Sequence, residues 1–107
     1  MAKTDPTVIL EFKAALKEAY GDRIERVVLY GSRARGDATR DSDYDIAVFL
    51  KTMADLYDEF HALAEIQIKL LDKTGAYVHA MPFAAGSWDH PSSPLMYEIR
   101  KDGVDLL

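Results

Sequence analysis

The stretch VVLYGSRARGDATRDSDYDIAVFL, residues 27–50, decides the architecture. Its first part, with the preceding residue, is Arg26-Val27-Val28-Leu29-Tyr30. This run is short, apolar and β-branched, and Gly31 stops it, so it predicts a buried strand. Its last part, Tyr44 to Leu50 (YDIAVFL), predicts a second strand. Residues 31–42 between them mix small and charged side chains around Gly36. They read as a loop with room for one helical turn.

Outward from this stretch the period changes. Upstream, Asp5-Pro6 reads as a helix start, with Asp5 as N-cap and Pro6 at the first helical position. Residues 8–20 place Val8, Phe12, Ala15 and Leu16 on one helical face, and Gly21 closes the helix. Downstream, Thr52-Met53-Ala54-Asp55 resembles a capping box with Asp in place of Glu, so a long helix is expected from about 53 to 73. Leu56, Phe60, Leu63, Ile66 and Leu70 supply its apolar stripe, and Gly75 caps its end. Residues 76–83 predict a third strand. Residues 84–92 hold Gly86, Trp88 and Pro91 and read as loop, with Trp88 covering the edge of the core or anchoring a partner. Ser93-Pro94 repeats the cap-and-proline signal. It starts a last helix over 94–101 with Leu95, Met96 and Ile99 as its packing face, and Gly103 stops it. The order α-β-β-α-β-α describes a small α/β (α+β) fold, a mixed β-sheet flanked by helices.

The chain has 107 residues and reads as a single domain over 1–107, without repeat, linker or low-complexity segment. Its net charge of −5 argues against binding extended nucleic acid, which relies on Lys and Arg. The local exception is Arg33, Arg35 and Arg40, so a nucleotide or a protein partner suits the charge balance better. The absence of cysteine excludes disulfides, thiolate metal sites and cysteine nucleophiles, and fits a cytoplasmic protein. No apolar run approaches the length of a membrane span. Residues 1–6 have no apolar core, so no signal peptide is expected.

Asp43 and Asp45 carry the chemistry. Two apart at the start of a strand, they point to one face. Paired carboxylates repel, and keeping both ionised is costly unless a cation sits between them. A hard, oxygen-loving ion such as Mg²⁺ is the natural partner. Gly31-Ser32 follows the preceding strand directly. Glycine lets a phosphate approach the backbone, and the following amides and the Ser32 hydroxyl can donate to its oxygens. If the two strands are neighbours, phosphate cradle and carboxylates share one edge of the sheet, as a nucleoside triphosphate carrying Mg²⁺ requires.

The spacing is more specific than either part. Gly31-Ser32, ten residues, then Asp43-x-Asp45 resembles the signature of the minimal nucleotidyltransferases of the DNA polymerase β-like superfamily. Residues 27–50 look like that family throughout, and the layout of elements is similar up to about residue 83. The resemblance implies a polymerase β-like nucleotidyltransferase fold. It also implies metal-dependent transfer of a nucleoside monophosphate, typically AMP from ATP, to an acceptor hydroxyl. Carried over, Gly31, Ser32 and Arg33 would bind the nucleotide, and Asp43 and Asp45 would be catalytic and hold Mg²⁺. One ion would lower the pKa of the acceptor hydroxyl, and another would stabilise the leaving pyrophosphate. Small bacterial members of the family are often antitoxins, which pair with a HEPN-domain toxin and can silence it by adding AMP to a tyrosine. The short chain suits that type, working in a hetero-complex or as a homo-oligomer.

One position departs from the family pattern. Catalysing members place a third acid on the next strand, and residues 76–83 contain no Asp or Glu. His79 is the one ionisable group between apolar Val78 and Ala80, and is the expected equivalent. Three readings stay open: His79 replaces the acid as ligand or base, Asp89 reaches in from the loop, or the site binds nucleotide and metal without efficient turnover. On the last, the chain is a nucleotidyltransferase-fold module that neutralises its partner by contact.

Overall fold

The structure, a computed structural model, describes residues 5–53 and 55–107. The part of the leader reading that rests on residues 1–4, and the Ala54 position of the expected capping box, lie outside the described residues. The elements run α1 (Pro6–Tyr20), a 3₁₀ turn (Gly21–Arg23), β1 (Ile24–Tyr30), α2 (Ser32–Arg35), β2 (Tyr44–Leu50), α3 (Leu56–Thr74), β3 (Val78–Ala84), α4 (Pro94–Asp102) and β4 (Val104–Asp105).

Local chemistry sets these boundaries. The Asp5 carboxylate accepts from the Thr7 amide at 2.9 Å and starts α1. Ser93 accepts from the Met96 amide at 3.2 Å and starts α4. The start of α3 corrects the expectation of a helix from residue 53. Asp55, not Thr52, is the cap, accepting from the amides of Tyr57 and Asp58 at 2.9 and 3.3 Å. Thr52 is engaged elsewhere, because its carbonyl and hydroxyl accept from Arg23. The same guanidinium pairs with Glu59, the buried acid on α3.

The sheet order is β3-β2-β1-β4. β1 pairs antiparallel with β2 and with β4, and β2 pairs parallel with β3, so the sheet is mixed as expected. β4 lies beyond the expected order of elements. It is two residues long, and Gly103 before it turns the chain back onto β1.

The sheet is covered on both faces. Tyr44, Ile46, Val48 and Leu50 of β2 point toward α1 and α3, where Phe12, Leu16, Leu63 and Leu70 complete the main core. Ala47 and Phe49 point the other way, toward Met96 and Ile99 of α4. Trp88 packs edge-on against Phe49, centroids 5.9 Å apart, and so covers the edge of this second core. The expected stripe of α3 is only half buried. Leu63, Ile66 and Leu70 are inside, whereas Leu56 and Phe60 are exposed.

β3 is an edge strand with its outward backbone blunted. The Ala80 amide donates to Gln67 Oε1 of α3 at 2.8 Å. Pro82, two residues on and on the same side, has no N–H.

Candidate active site

Alternation along β2 places Asp45 on the α4 face, between its register partners Tyr30 on β1 and His79 on β3. All three side chains therefore stand on one side at one end of the sheet: the C-terminus of β1 and the N-termini of β2 and β3. Asp43 precedes β2 at the same end. The strand order thus brings Gly31, Asp43, Asp45 and His79 to one end of the sheet.

Gly31 is the tightest element. Its φ of +74° suits glycine, and a Cβ built there would lie 2.6 Å from Asp45 Oδ2. The turn passes directly against the carboxylate because position 31 has no side chain. Ser32 then opens α2. Among the described residues neither its amide nor its hydroxyl has a hydrogen-bond partner. Both can donate to a phosphate oxygen.

The Asp45 carboxyl is half-buried and its pKa is raised. Burial is the largest cause, and the Asp43 charge adds to it. His79 opposes the shift, with Nδ1 3.7 Å from Asp45 Oδ1, and Arg35 opposes it more weakly. Tyr30, in register with Asp45, has its hydroxyl pushed up to about 12, chiefly by burial and then by the Asp45 charge. That hydroxyl donates to Met81 Sδ at 3.8 Å and stays protonated.

A hard divalent cation fits these groups. The half-buried Asp45 carboxylate, with the exposed Asp43 charge beside it, gains from a positive charge between them. Among the described residues no group of three His, Asp or Glu side chains forms a closed cage. Mg²⁺ needs none, since it uses one or two carboxylates and takes its other ligands from water and substrate phosphates.

Arg33 stands apart from Asp45. Its guanidinium donates to the Ser42 carbonyl at 2.9 Å and the Arg40 carbonyl at 3.3 Å. It also covers the Tyr44 ring at 4.3 Å. Tyr44 is buried on the α1 side, and its hydroxyl accepts the Asp5 amide at 3.0 Å. Arg33 thus clamps the segment that delivers Asp43. Arg35 binds Asp37 at 3.2 Å and reaches toward Glu98 and Asp102 on α4 at 3.8 and 3.7 Å. These ties of the turn to α4 had no signal in the sequence, because they depend on how α4 packs.

Asp89 does not join the site. It follows the C-terminal end of β3, and His79 lies near the N-terminal end. β3 is seven residues long, so its ends lie about 20 Å apart.

The family model for the nucleotidyltransferase domain matches residues 9–102. An inferred protein adenylyltransferase of Methanocaldococcus jannaschii is 40% identical over 73 residues, 68% of this chain and 67% of that protein. A second such protein of the same organism is 38% identical over 52 residues, 49% of this chain and 52% of that protein. Among solved structures, a toxin–antitoxin with AMP-PNP aligns with TM-score 0.68 and 21% identity over 92% of this chain and 72% of that chain. A tri-AMPylated Shewanella oneidensis HEPN toxin in complex with its MNT antitoxin aligns with TM-score 0.62 and 18% identity, covering 94% of this chain and 70% of that chain. At these identities the structural likeness is one of fold.

Proposed function

The chain belongs to the nucleotidyltransferase domain family, and from that premise we propose that it transfers AMP from ATP to a tyrosine of a HEPN-domain toxin, as the antitoxin of the pair. The carrying observation is the convergence of Gly31, Asp45 and His79 at one sheet edge, with Asp45 in contact range of both the turn and the imidazole. The solved complexes that share the fold support the partner class, and the archaeal relatives support a protein acceptor. ATP is a cytoplasmic metabolite, which keeps a cytoplasmic setting within the proposal. Residues 1–107 act in it as one minimal nucleotidyltransferase domain.

Gly31 and Ser32 receive the phosphates, and Arg33 serves the nucleotide site by holding the loop before Asp43. Asp43 and Asp45 hold the cation. When bound there, Mg²⁺ would neutralise phosphate charge and favour ionisation of the acceptor hydroxyl. The tyrosine oxygen forms a bond to the α-phosphorus as the α,β-bridging P–O bond breaks, and pyrophosphate leaves. The proton from the tyrosine passes to the free nitrogen face of His79.

One observation favours a second reading: the β3 residue facing Asp45 is an imidazole where catalysing relatives are expected to carry an acid. On that reading the chain binds nucleotide and neutralises its partner by contact alone.

Incubation with the HEPN partner, Mg²⁺ and ATP labelled on its α-phosphate separates the two. Label and an AMP mass increment on a partner tyrosine, abolished by the Asp43→Asn/Asp45→Asn double variant, support transfer. A tight complex without label overturns transfer in favour of contact.

A further inference from the structure

α3 has two apolar faces, and the sheet uses one. Leu63, Ile66 and Leu70 are buried against it. Tyr57, Phe60, Ile68 and Leu71 recur at helical spacing on the adjoining side and are exposed, Tyr57 by 69% and Ile68 by 64%. Tyr77, just before β3, extends the patch. Between α3 and β3, a concavity of about 150 Å³ opens beside Ile68, Leu71, Tyr77 and Val78. An apolar surface that is continuous along one helix marks an interaction site, and a concavity within it is a socket for an anchoring side chain.

Charge and backbone define the occupant. Asp58, Glu65 and Asp72 lie seven residues apart along one flank of this stripe. All three are exposed, and none has an ion-pair partner among the described residues. Lys69, on the same flank, pairs with none of them. Two copies packed antiparallel through the stripe about a two-fold axis would set acid row against acid row, so a second copy is disfavoured. An added strand is disfavoured too, because Gln67 and Pro82 close the β3 edge. The remaining fit is a helical surface whose apolar side chains are flanked by Lys or Arg.

We propose that this α3 face docks the acceptor protein, a partner with apolar anchors between basic residues. The inference rests on the reading of the chain as an enzyme or antitoxin acting on a protein. α3 covers the sheet face opposite His79, and Tyr77 lies two residues before His79 at the end of β3 that carries the candidate active site, so a partner seated on the patch reaches the site around the edge of β3. Docking there supplies proximity to the transferred group.

Calorimetric titration of the HEPN partner with four forms of the chain tests it: wild type, Ile68→Glu, Glu65→Lys/Asp72→Lys, and the control Leu10→Glu on exposed α1. Ile68→Glu weakens binding by about tenfold or more. In the transfer assay it raises the acceptor KM and leaves kcat at saturation. The double lysine variant weakens binding several-fold and flattens its salt dependence, while Leu10→Glu matches wild type. Partner binding abolished by Ile68→Glu, with no label transferred by any form, supports the docking face while overturning the catalytic reading. Wild-type affinity in Ile68→Glu overturns the docking face, as does a wild-type chain that does not bind the partner. Sedimentation showing a homodimer that Ile68→Glu dissociates assigns the face to a second copy and overturns the proposal.

Discussion

Gly31 and Asp45 divide one small space: the room a side chain would need at position 31 holds the Asp45 carboxylate, 2.6 Å from where a Cβ would stand. Gly31→Ala meets two obstacles, the overlap and a φ of +74° that L residues rarely adopt. We expect a stability loss of about 1–3 kcal/mol in urea unfolding. Displacement of Asp45 lowers AMP transfer on the order of 100-fold. Wild-type transfer in Gly31→Ala would show that the close approach is dispensable.

His79 faces Asp45 in the parallel register of β2 and β3. If it takes the acceptor proton, His79→Ala lowers kcat roughly 100-fold or more, with ATP affinity retained. His79→Asp recovers part of the rate by restoring a carboxylate there. An unchanged kcat in His79→Ala would remove the imidazole from the chemistry.

The raised pKa of Asp45 makes stability depend on pH in a defined direction. The folded state holds this proton more tightly than the unfolded chain, whose Asp titrates near 3.9. The contribution is therefore complete below that value and is lost as pH rises through the raised folded pKa. In EDTA, Asp45→Asn removes this loss and stabilises the protein near neutral pH relative to wild type. Adding Mg²⁺ raises Tm in wild type and not in Asp45→Asn. Thermal melts across pH, with and without metal, read both effects.

Arg33 holds the loop before Asp43 through two carbonyls and the face of Tyr44. Lysine keeps the charge and loses the planar fork. Arg33→Lys is expected to cost about 1 kcal/mol of stability. It also weakens Mg²⁺-dependent ATP binding, measured by titration of each variant, because the Asp43 segment loosens.

Gly103 lies where a Cβ would overlap the Ile99 carbonyl and Val28 Cγ1. Gly103→Ala is expected to cost about 1–3 kcal/mol in chemical denaturation by forcing the end of α4 off β1. A neutral result would mean that β4 does not need this turn.

Some features are legible in the sequence alone. Tyr44–Leu50 is a strand with the bounds its composition predicted, because a short apolar run containing β-branched Ile46 and Val48 suits a strand buried on both faces. Asp5-Pro6 starts α1 for a local reason, the cap hydrogen bond. Where signals competed, the reading shifted. Thr52 looked like a cap, but Arg23, 29 residues away, uses it, and Asp55 took the role. β1 begins two residues earlier than its apolar run, at Ile24, through an irregular register against Leu50. β4 has two residues and no periodicity, so only its pairing with Val28 and Leu29 reveals it.

The opening stretch by itself determined the two strands, the glycine turn between them and the carboxylates at the start of the second. These follow from short apolar β-branched runs, glycine's freedom and the i, i+2 spacing of the carboxylates, all properties of neighbours in the chain. Only the tertiary structure decided that His79 faces Asp45 and that Asp89 lies at the far end of β3. It also turned Arg33 to two loop carbonyls and left Ile68 in solvent. Each of these depends on strand order, register or which face of a helix finds a partner, and those are settled by contacts between residues distant in sequence.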